Sequence, residues 1–418
     1  MRIIHTADWH LGNVFHGHDR LAEHRHFLDW LLARLGEQQP DALLVTGDVF
    51  DSPYPSAASE ALFYDFMVRA TQLVPGLQVV VIAGDSDSAN RIEISAALLK
   101  LHNVYVRGAM RYTEAGDPDF THFLLPLSPR NSHEAACVCF ALPYLRPCNY
   151  QAGLTTEQGL AYYFSQLHKK FRKSDFSGLP VVVAAHFGVA GAVFDEAYSS
   201  GHRIAGAGEP VGIDVIGSGV SYAALGHLHR AQQIASDSTL VFYAGGVLPM
   251  SFAEEGYTYG VQLVEVDAEG SATADRLVYT PLRQLITIPA APRTAVSADE
   301  LLDALARLPK RSKHDTGNEA WPYLEIHVEA KDAGQDLLHK VLELTADRAV
   351  HLCRMVSVHS ARQAAASASD SSSEVCENLR SVNPLQLARQ YFAAHYSEEM
   401  PQQFTDRLKQ AVEAANNE

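Results

Sequence analysis

The stretch ALLVTGDVFD, residues 42–51, decides how the rest of this chain is read. Ala42 to Thr46 make one short apolar strand, and the run stops at Gly47-Asp48. A carboxylate just past a buried strand, behind a glycine that lets backbone approach closely, sits where open α/β sheets gather ligands. Other fragments repeat the arrangement: Asp8-Trp9-His10 after Ile3–Thr6, Gly84-Asp85-Ser86-Asp87 after Val79–Ala83, His186 after Val181–Ala184, and Gly226-His227-Leu228-His229 after Ala223–Leu225. Asp8 and His10, like His227 and His229, are two apart, so each pair projects to one side of an extended segment. Pieces distant in sequence are thereby expected in one pocket, with Asp48 as a carboxylate able to bridge two divalent metal ions. Imidazole plus carboxylate suits Mn2+ or Fe2+ and accepts Zn2+, whereas Mg2+ prefers nearly all oxygen.

Further strands are expected at Val104–Val106, Cys137–Leu142, Val241–Tyr243 and Gly260–Glu265, alternating with helical periods such as Phe27, Trp30, Leu31 and Leu35. This is the pattern of a layered α/β fold, here assigned to residues 1–280. A chain of 418 residues is long for a single core. Residues 281–359 read as a smaller α+β cap: strand Leu285–Ile288, helix Ala298–Leu308, strand Tyr323–Val328, helix Gln335–Leu344 and strand Leu352–Val358. The Ala/Ser-rich SARQAAASASDSSSEV (360–375) predicts a flexible linker over 360–378. A helical pair follows in 379–418, opened by Asn383-Pro384, with Leu387, Tyr391 and His395 on one face and Phe404, Leu408 and Val412 on another. Two short amphipathic helices with little core of their own read as a docking element for another protein, against the alternative that they fold back on the parent body.

No apolar run is long enough to span a membrane, and the first residues open on a strand without a secretory leader, so the cytoplasm is the expected compartment. The five cysteines (137, 139, 148, 353 and 376) have spacings of neither a disulfide framework nor a zinc ribbon, and reduced thiols are expected. A net charge of −16 disfavours a nucleic-acid surface. Two basic clusters survive, Lys169-Lys170-Phe171-Arg172-Lys173 and Lys310-Arg311-Ser312-Lys313, each taken alone better read as a solvated helix end and a solvated loop; metal ions or a partner subunit could supply the missing positive charge. His16 and His18, in the loop after the first motif, are candidates to reach substrate, against the plainer alternative of solvent-facing loop histidines. His24 and His26 are expected to face solvent from the following helix.

These motifs resemble the calcineurin-like metallophosphoesterase superfamily. The segments MRIIHTADWHLGNVFHGHDRLAEHRHFLDWLL, DALLVTGDVFDSPYPS, ALPYLRP, AALGHLHRAQQI and YAGGVLPMSFAEEG narrow the resemblance to its SbcD nuclease-subunit branch. The resemblance implies two sheets flanked by helices, a DNA-contacting cap, and a terminal helical pair that binds the coiled-coil ATPase SbcC. It implies one metal ion held by Asp8, His10, Asp48 and His229 and a second by Asp48, residue 85, His186 and His227, usually Mn2+. Exonuclease action and endonuclease action at hairpins and blocked ends are further implied, gated by ATP, in DNA repair, recombination and replication. So is a homodimer within a heterotetramer. The helical stretches Ala57–Leu73 and Ile92–Leu101 are open to that interface or to ordinary core.

The chain departs from the family where Gly-Asn-His-Asp becomes Gly84-Asp85-Ser86-Asp87. Asp85 retains an oxygen ligand and adds charge. Ser86 stands where the family has a histidine near the leaving oxygen, and a hydroxyl of high pKa is a poor replacement for a positioned acid, whose loss costs about 10²–10⁴-fold in rate. Ser86 and Asp87 are therefore the candidate catalytic positions, and attenuated turnover is the expectation. The alternatives are a catalytically silent, metal-filled DNA clamp or regulatory subunit, and a phosphoesterase with another substrate.

Overall fold

Strands that read as unbroken apolar runs are those covered on both faces. The first sheet runs β14 (Ala272–Tyr279), β13 (Tyr259–Val266), β1 (Arg2–Thr6), β4 (Ala42–Thr46), β5 (Gln78–Ile82), β6 (Val104–Arg107), with β1, β4, β5 and β6 parallel. The second runs β11 (Gln232–Ile234), β12 (Leu240–Tyr243), β10 (Val220–Gly226), β9 (Val181–His186), β8 (Cys137–Ala141), β7 (Leu124–Leu127), with β12, β10, β9 and β8 parallel. This computed structural model describes residues 1–151, 153–194, 210–312 and 320–358, with 401, 404, 405 and 407 besides.

The two sheets share an apolar layer in which Ile3, Leu44, Val80 and Ile82 of one pack with Cys139, Val182, Tyr222 and Ala224 of the other. The outer face of the first sheet is covered by helices Leu21–Gln38 and Ala57–Leu73, whose Phe27, Leu31, Phe63 and Phe66 enclose Trp9. Helix Thr156–Phe171 covers the second through Leu160, Phe164 and Leu167, and starts at a capping box between Thr155 and Gln158. One polar side chain crosses the layer. His5 contacts Tyr222 OH at 2.8 Å and Thr46 Oγ1 at 3.0 Å, and burial, helped by Arg276, lowers its pKa to about 3, so a neutral imidazole ties the sheets.

The strands expected from sequence form within two residues at every end but one, β10 starting at Val220, three residues before the expected Ala223. The histidine assignments on the first helix need correction: His26 is exposed, but His24 is buried, its ring N–H donating to Trp9 O at 3.1 Å, with its pKa lowered to about 3 by burial and Arg20. A two-residue ribbon, β2 (Val14–Phe15) with β3 (His18–Asp19), carries His16 and Gly17 at its turn.

A third sheet, β15 (Leu285–Ile288), β16 (Tyr323–Glu329) and β17 (His351–Val358), packs with helices Ala298–Ala306 and Gln335–Thr345 around Leu301, Leu305, Leu324, Ile326 and Val341. This cap core is separate, yet Tyr323 packs with Phe15 and Phe252 of the larger body. Met1–Val328 with Asp332–Val356 forms one compact unit. A second unit comprises Glu329–Lys331 and Ser357–Glu418. The expected linker and terminal helices lie outside the described residues, apart from the four isolated positions. Among the described residues no helix is long and apolar enough to cross a membrane, and Cys137, Cys139, Cys148 and Cys353 are free.

Leu44 is fully buried in the layer between the sheets. Leu44→Ala is expected to cost about 2–5 kcal/mol in urea unfolding, and a loss below about 1 kcal/mol would contradict a close-packed layer there.

Candidate metal centre

The loops after β1 and β4 are zipped together by backbone: Asp8 N–H donates to Gly47 O (3.0 Å), His10 N–H to Asp48 O (2.9 Å) and Leu11 N–H to Val49 O (2.9 Å). This turns side chains inward at a conformational cost. Asp8, His10, Asp48 and His227 all have positive φ (52°, 46°, 48° and 101°), a region non-glycine residues avoid unless their surroundings over-determine it. Two glycines make the approach possible: a Cβ on Gly47 would lie 2.1 Å from His186 Nδ1, and one on Gly84 2.0 Å from Asp48 Oδ1.

Seven buried or nearly buried side chains then converge from five strand ends. Asp8, His10 and His229 form one group whose donor atoms lie within 4.8 Å of one another, and Asp85, His186 and His227 form another. Asp48 stands between them, Oδ2 3.5 Å from His10 Nε2 and Oδ1 3.6 Å from His186 Nε2. In the first group, His10 Nε2 and His229 Nε2 are 3.2 Å apart. In the second, Asp85 Oδ1 is 2.9 Å from His186 Nε2 and 3.0 Å from His227 Nδ1. Asp8 Oδ2 and Asp85 Oδ2 are buried without a hydrogen-bond partner among the described residues. Orphaned carboxylate oxygens beside converging imidazole nitrogens fit a divalent cation better than any hydrogen-bond network.

The calcineurin-like phosphoesterase family profile matches residues 1–231, and the type 5 capsule protein repressor C-terminal domain profile matches residues 281–396. The chain is 35% identical over 316 residues to the SbcD subunit of nuclease SbcCD from Rhodobacter capsulatus, covering 74% of this chain and 76% of that protein. It belongs to the SbcD family. The same-named subunits of Escherichia coli (28% over 364 residues, 82% of each chain) and Bacillus subtilis (29% over 293 residues, 68% of this chain and 71% of that one) are also similar. SbcD proteins are metallophosphoesterases that use divalent metals, and the donor set in this chain fits that requirement.

Around these candidate donors, a second ring of contacts orients the imidazoles. His186 Nδ1 donates to Thr46 O at 2.8 Å, which leaves Nε2 as the donor to a cation. His229 Nδ1 lies 3.2 Å from Glu254 Oε1, and His10 Nδ1 3.4 Å from Asp51 Oδ1, which accepts from Asn13 Nδ2 at 3.0 Å. The Tyr144 ring stacks on His227 at 6.4 Å. Sequence reading missed Glu254 and Asn13, which belong to no spaced pattern, whereas Asp51 stood in plain view at the end of GDVFD.

Ser86 and Asp87 both bind protein. Ser86 donates its N–H to Asp48 Oδ1 (2.9 Å) and its hydroxyl to Asp48 Oδ2 (3.1 Å). The Asp87 carboxylate accepts from the N–H groups of Val49 (3.1 Å), Phe50 (2.9 Å) and Gly84 (2.9 Å), bracing the β4 and β5 loops against each other. His16 and His18 lie outside both donor groups. His16 packs on Phe15 and Phe252, and His18 lies 4.6 Å from the His351 ring at the joint with the cap.

Burial alone would lower the pKa of His186, but Asp48, Asp85 and Asp8 reverse this and raise it to about 10. Glu254, with Asp8 and Asp48, overcomes burial in the same way to raise His229 to about 9. Burial would raise the Asp85 pKa, but His186 and His227 hold it well below the usual carboxylate range. The metal-free centre therefore carries protons on His186 and His229 at neutral pH, and a cation has to displace them. Metal affinity is expected to rise between pH 6 and 8, by about tenfold per pH unit for each proton displaced, with proton release visible as buffer-dependent heats in calorimetry. A flat profile over that range would contradict this charge arrangement.

Proposed function

We propose that this chain is the nuclease subunit of an SbcCD-type complex, hydrolysing DNA phosphodiesters at a dinuclear centre. Asp8, His10, Asp48 and His229 hold one ion and Asp48, Asp85, His186 and His227 the other. The supporting observation is the pair of donor groups on either side of Asp48, which itself groups with Asp8 and His186. Two divalent ions bound there, Mn2+ by donor chemistry, would supply Lewis acidity at phosphoryl oxygens and lower the pKa of a water nucleophile. Asp48 faces both positions, and Ser86 pins its two oxygens. Because the Ser86 hydroxyl is committed to Asp48, it does not take the place of the family histidine as a positioned acid, and turnover is attenuated. Asp87 braces the loops that carry Asp48 and Asp85.

The relatives are named as the SbcD component of nuclease SbcCD, which supports an SbcC-type partner. ATP gating, action as exonuclease and hairpin or end endonuclease, and a cytoplasmic location are part of the same proposal and rest on the family resemblance alone. The proposed division is a nuclease domain over 1–280, a DNA-contacting cap over 281–359, a linker over 360–378 and an ATPase-docking segment over 379–418. His16 and His18, at the joint between body and cap, face the substrate. The chain pairs as a homodimer within the heterotetramer through Ile94, Leu98 and Leu101, which are 76%, 69% and 80% exposed on the turn after helix Ala89–Ile92, on helix Ala96–Leu99 and on the turn that follows it.

Cleavage of hairpin and linear duplex DNA with Mn2+, ATP and the SbcC partner should be measured for the natural chain, Ser86→His and Asp85→Asn/Ser86→His. The natural chain is expected to cleave, and Ser86→His to be faster by about 10²-fold. No cleavage by the natural chain with rescue by the double change would sink the nuclease reading in favour of a silent clamp, and equal rates would remove any role for residue 86. For the dimer, Leu98→Glu/Leu101→Glu is expected to sediment as a monomer. An unchanged mass would exclude this face.

A further inference from the structure

Arg20 is fully buried at the foot of the first helix, and its guanidinium forks toward both histidines of one donor group. Along one branch, Nη1 donates to Pro249 O (2.5 Å), the next residue's N–H, that of Met250, donates to Glu254 Oε2 (3.1 Å), and Glu254 Oε1 meets His229. Along the other, Nη1 reaches Asn13 Oδ1 (3.4 Å), whose amide holds Asp51 against His10. Arg20 is itself held by the fully buried Glu23, through Nε (3.2 Å) and Nη2 (2.9 Å). Glu23 Oε2 also accepts from the cap: from Tyr323 OH at 2.7 Å and from Arg283 Nη1 at 3.2 Å.

The second donor group is supported differently. His186 is anchored on the Thr46 carbonyl and His227 lies against Tyr144, and neither described contact passes through Arg20. In a dry interior, a guanidinium and carboxylate hold each other with strong directionality, and loosening one partner leaves the other uncompensated. A shift of Glu23 therefore moves Arg20, and with it both carboxylates that orient His10 and His229.

We infer that Tyr323 and Glu23 are positioning residues that set the cation affinity of the Asp8, His10 and His229 position through Arg20. Seating of the cap and occupancy of that one ion are thereby coupled, while the Asp85, His186 and His227 position has no described link of its own to Arg20 and meets the first position only at Asp48 and Asp8. This rests on the metal-centre reading above. Coupling is reciprocal, so filling this position also tightens the cap.

The test is Mn2+ calorimetry on the full chain. Tyr323→Phe keeps the ring against Phe15 and removes only the hydroxyl, and about tenfold weaker binding is expected at one position with the other unchanged. Glu23→Gln should weaken the same position further. In a His229→Asn background, the remaining ion should be indifferent to Tyr323→Phe, whereas in a His227→Asn background it should weaken. Mn2+ should also slow amide exchange in β16 of the natural chain and do so less in Tyr323→Phe. Unchanged isotherms, or equal losses at both positions, would overturn the coupling while leaving the metal centre intact. Fewer than two ions bound by the natural chain would overturn the metal-centre reading and the coupling with it.

Discussion

Packing three aspartates and four histidines into one buried cluster is the constraint on which the remaining architecture depends. Carboxylates taken out of water repel one another, and only compensating positive charge makes the arrangement tolerable. Protons on the histidines provide it when metal is absent and divalent ions provide it better. Many features that look arbitrary in isolation follow from this: strained backbone at Asp8, His10, Asp48 and His227, glycines at 47 and 84 where a methyl group would collide, and Asp87 bracing two loops from below.

Ser86 illustrates how one substitution changes the chemistry of such a cluster. An imidazole at this position would stand apart from Asp48 as an independent acid. The shorter side chain instead folds onto Asp48 and adds a second hydrogen bond to the backbone one at the same residue. The result is a carboxylate held at both oxygens by one residue. Adjacent side chains thus serve different partners, since Asp85 faces His186 and His227 while Ser86 faces Asp48.

Much of the layered fold, and the strand-end convergence of the seven candidate donors, was legible because both depend on short-range pattern. A buried parallel strand is an apolar run, and a ligand lies just past its end, so β4 and Asp48 announce each other. Legibility failed where partners come from afar. β7 contains Pro126 and alternates on an edge, and β14 is polar on one face, so neither gave a run to recognise. His24 looked like a surface residue because its helix is polar around it, yet its partner is a carbonyl of the Asp8–His10 segment. Glu254 and Arg20 escaped for the same reason: a lone charge has no period, and its role exists only once Pro249, Glu23 and His229 are brought together.

The neutral His5 bridge and the apolar layer around it carry one more implication. Each donor group draws on both sheets, since Asp8, His10 and Asp85 follow strands of the first and His186, His227 and His229 follow strands of the second. The distance across the centre is consequently a layer thickness, governed by residues such as Leu44, Cys139 and Val182 well beneath it. Such a centre resembles a caliper whose jaws are the two sheets. Loop insertions around its rim leave the gap alone, whereas a single methylene added between the sheets opens it.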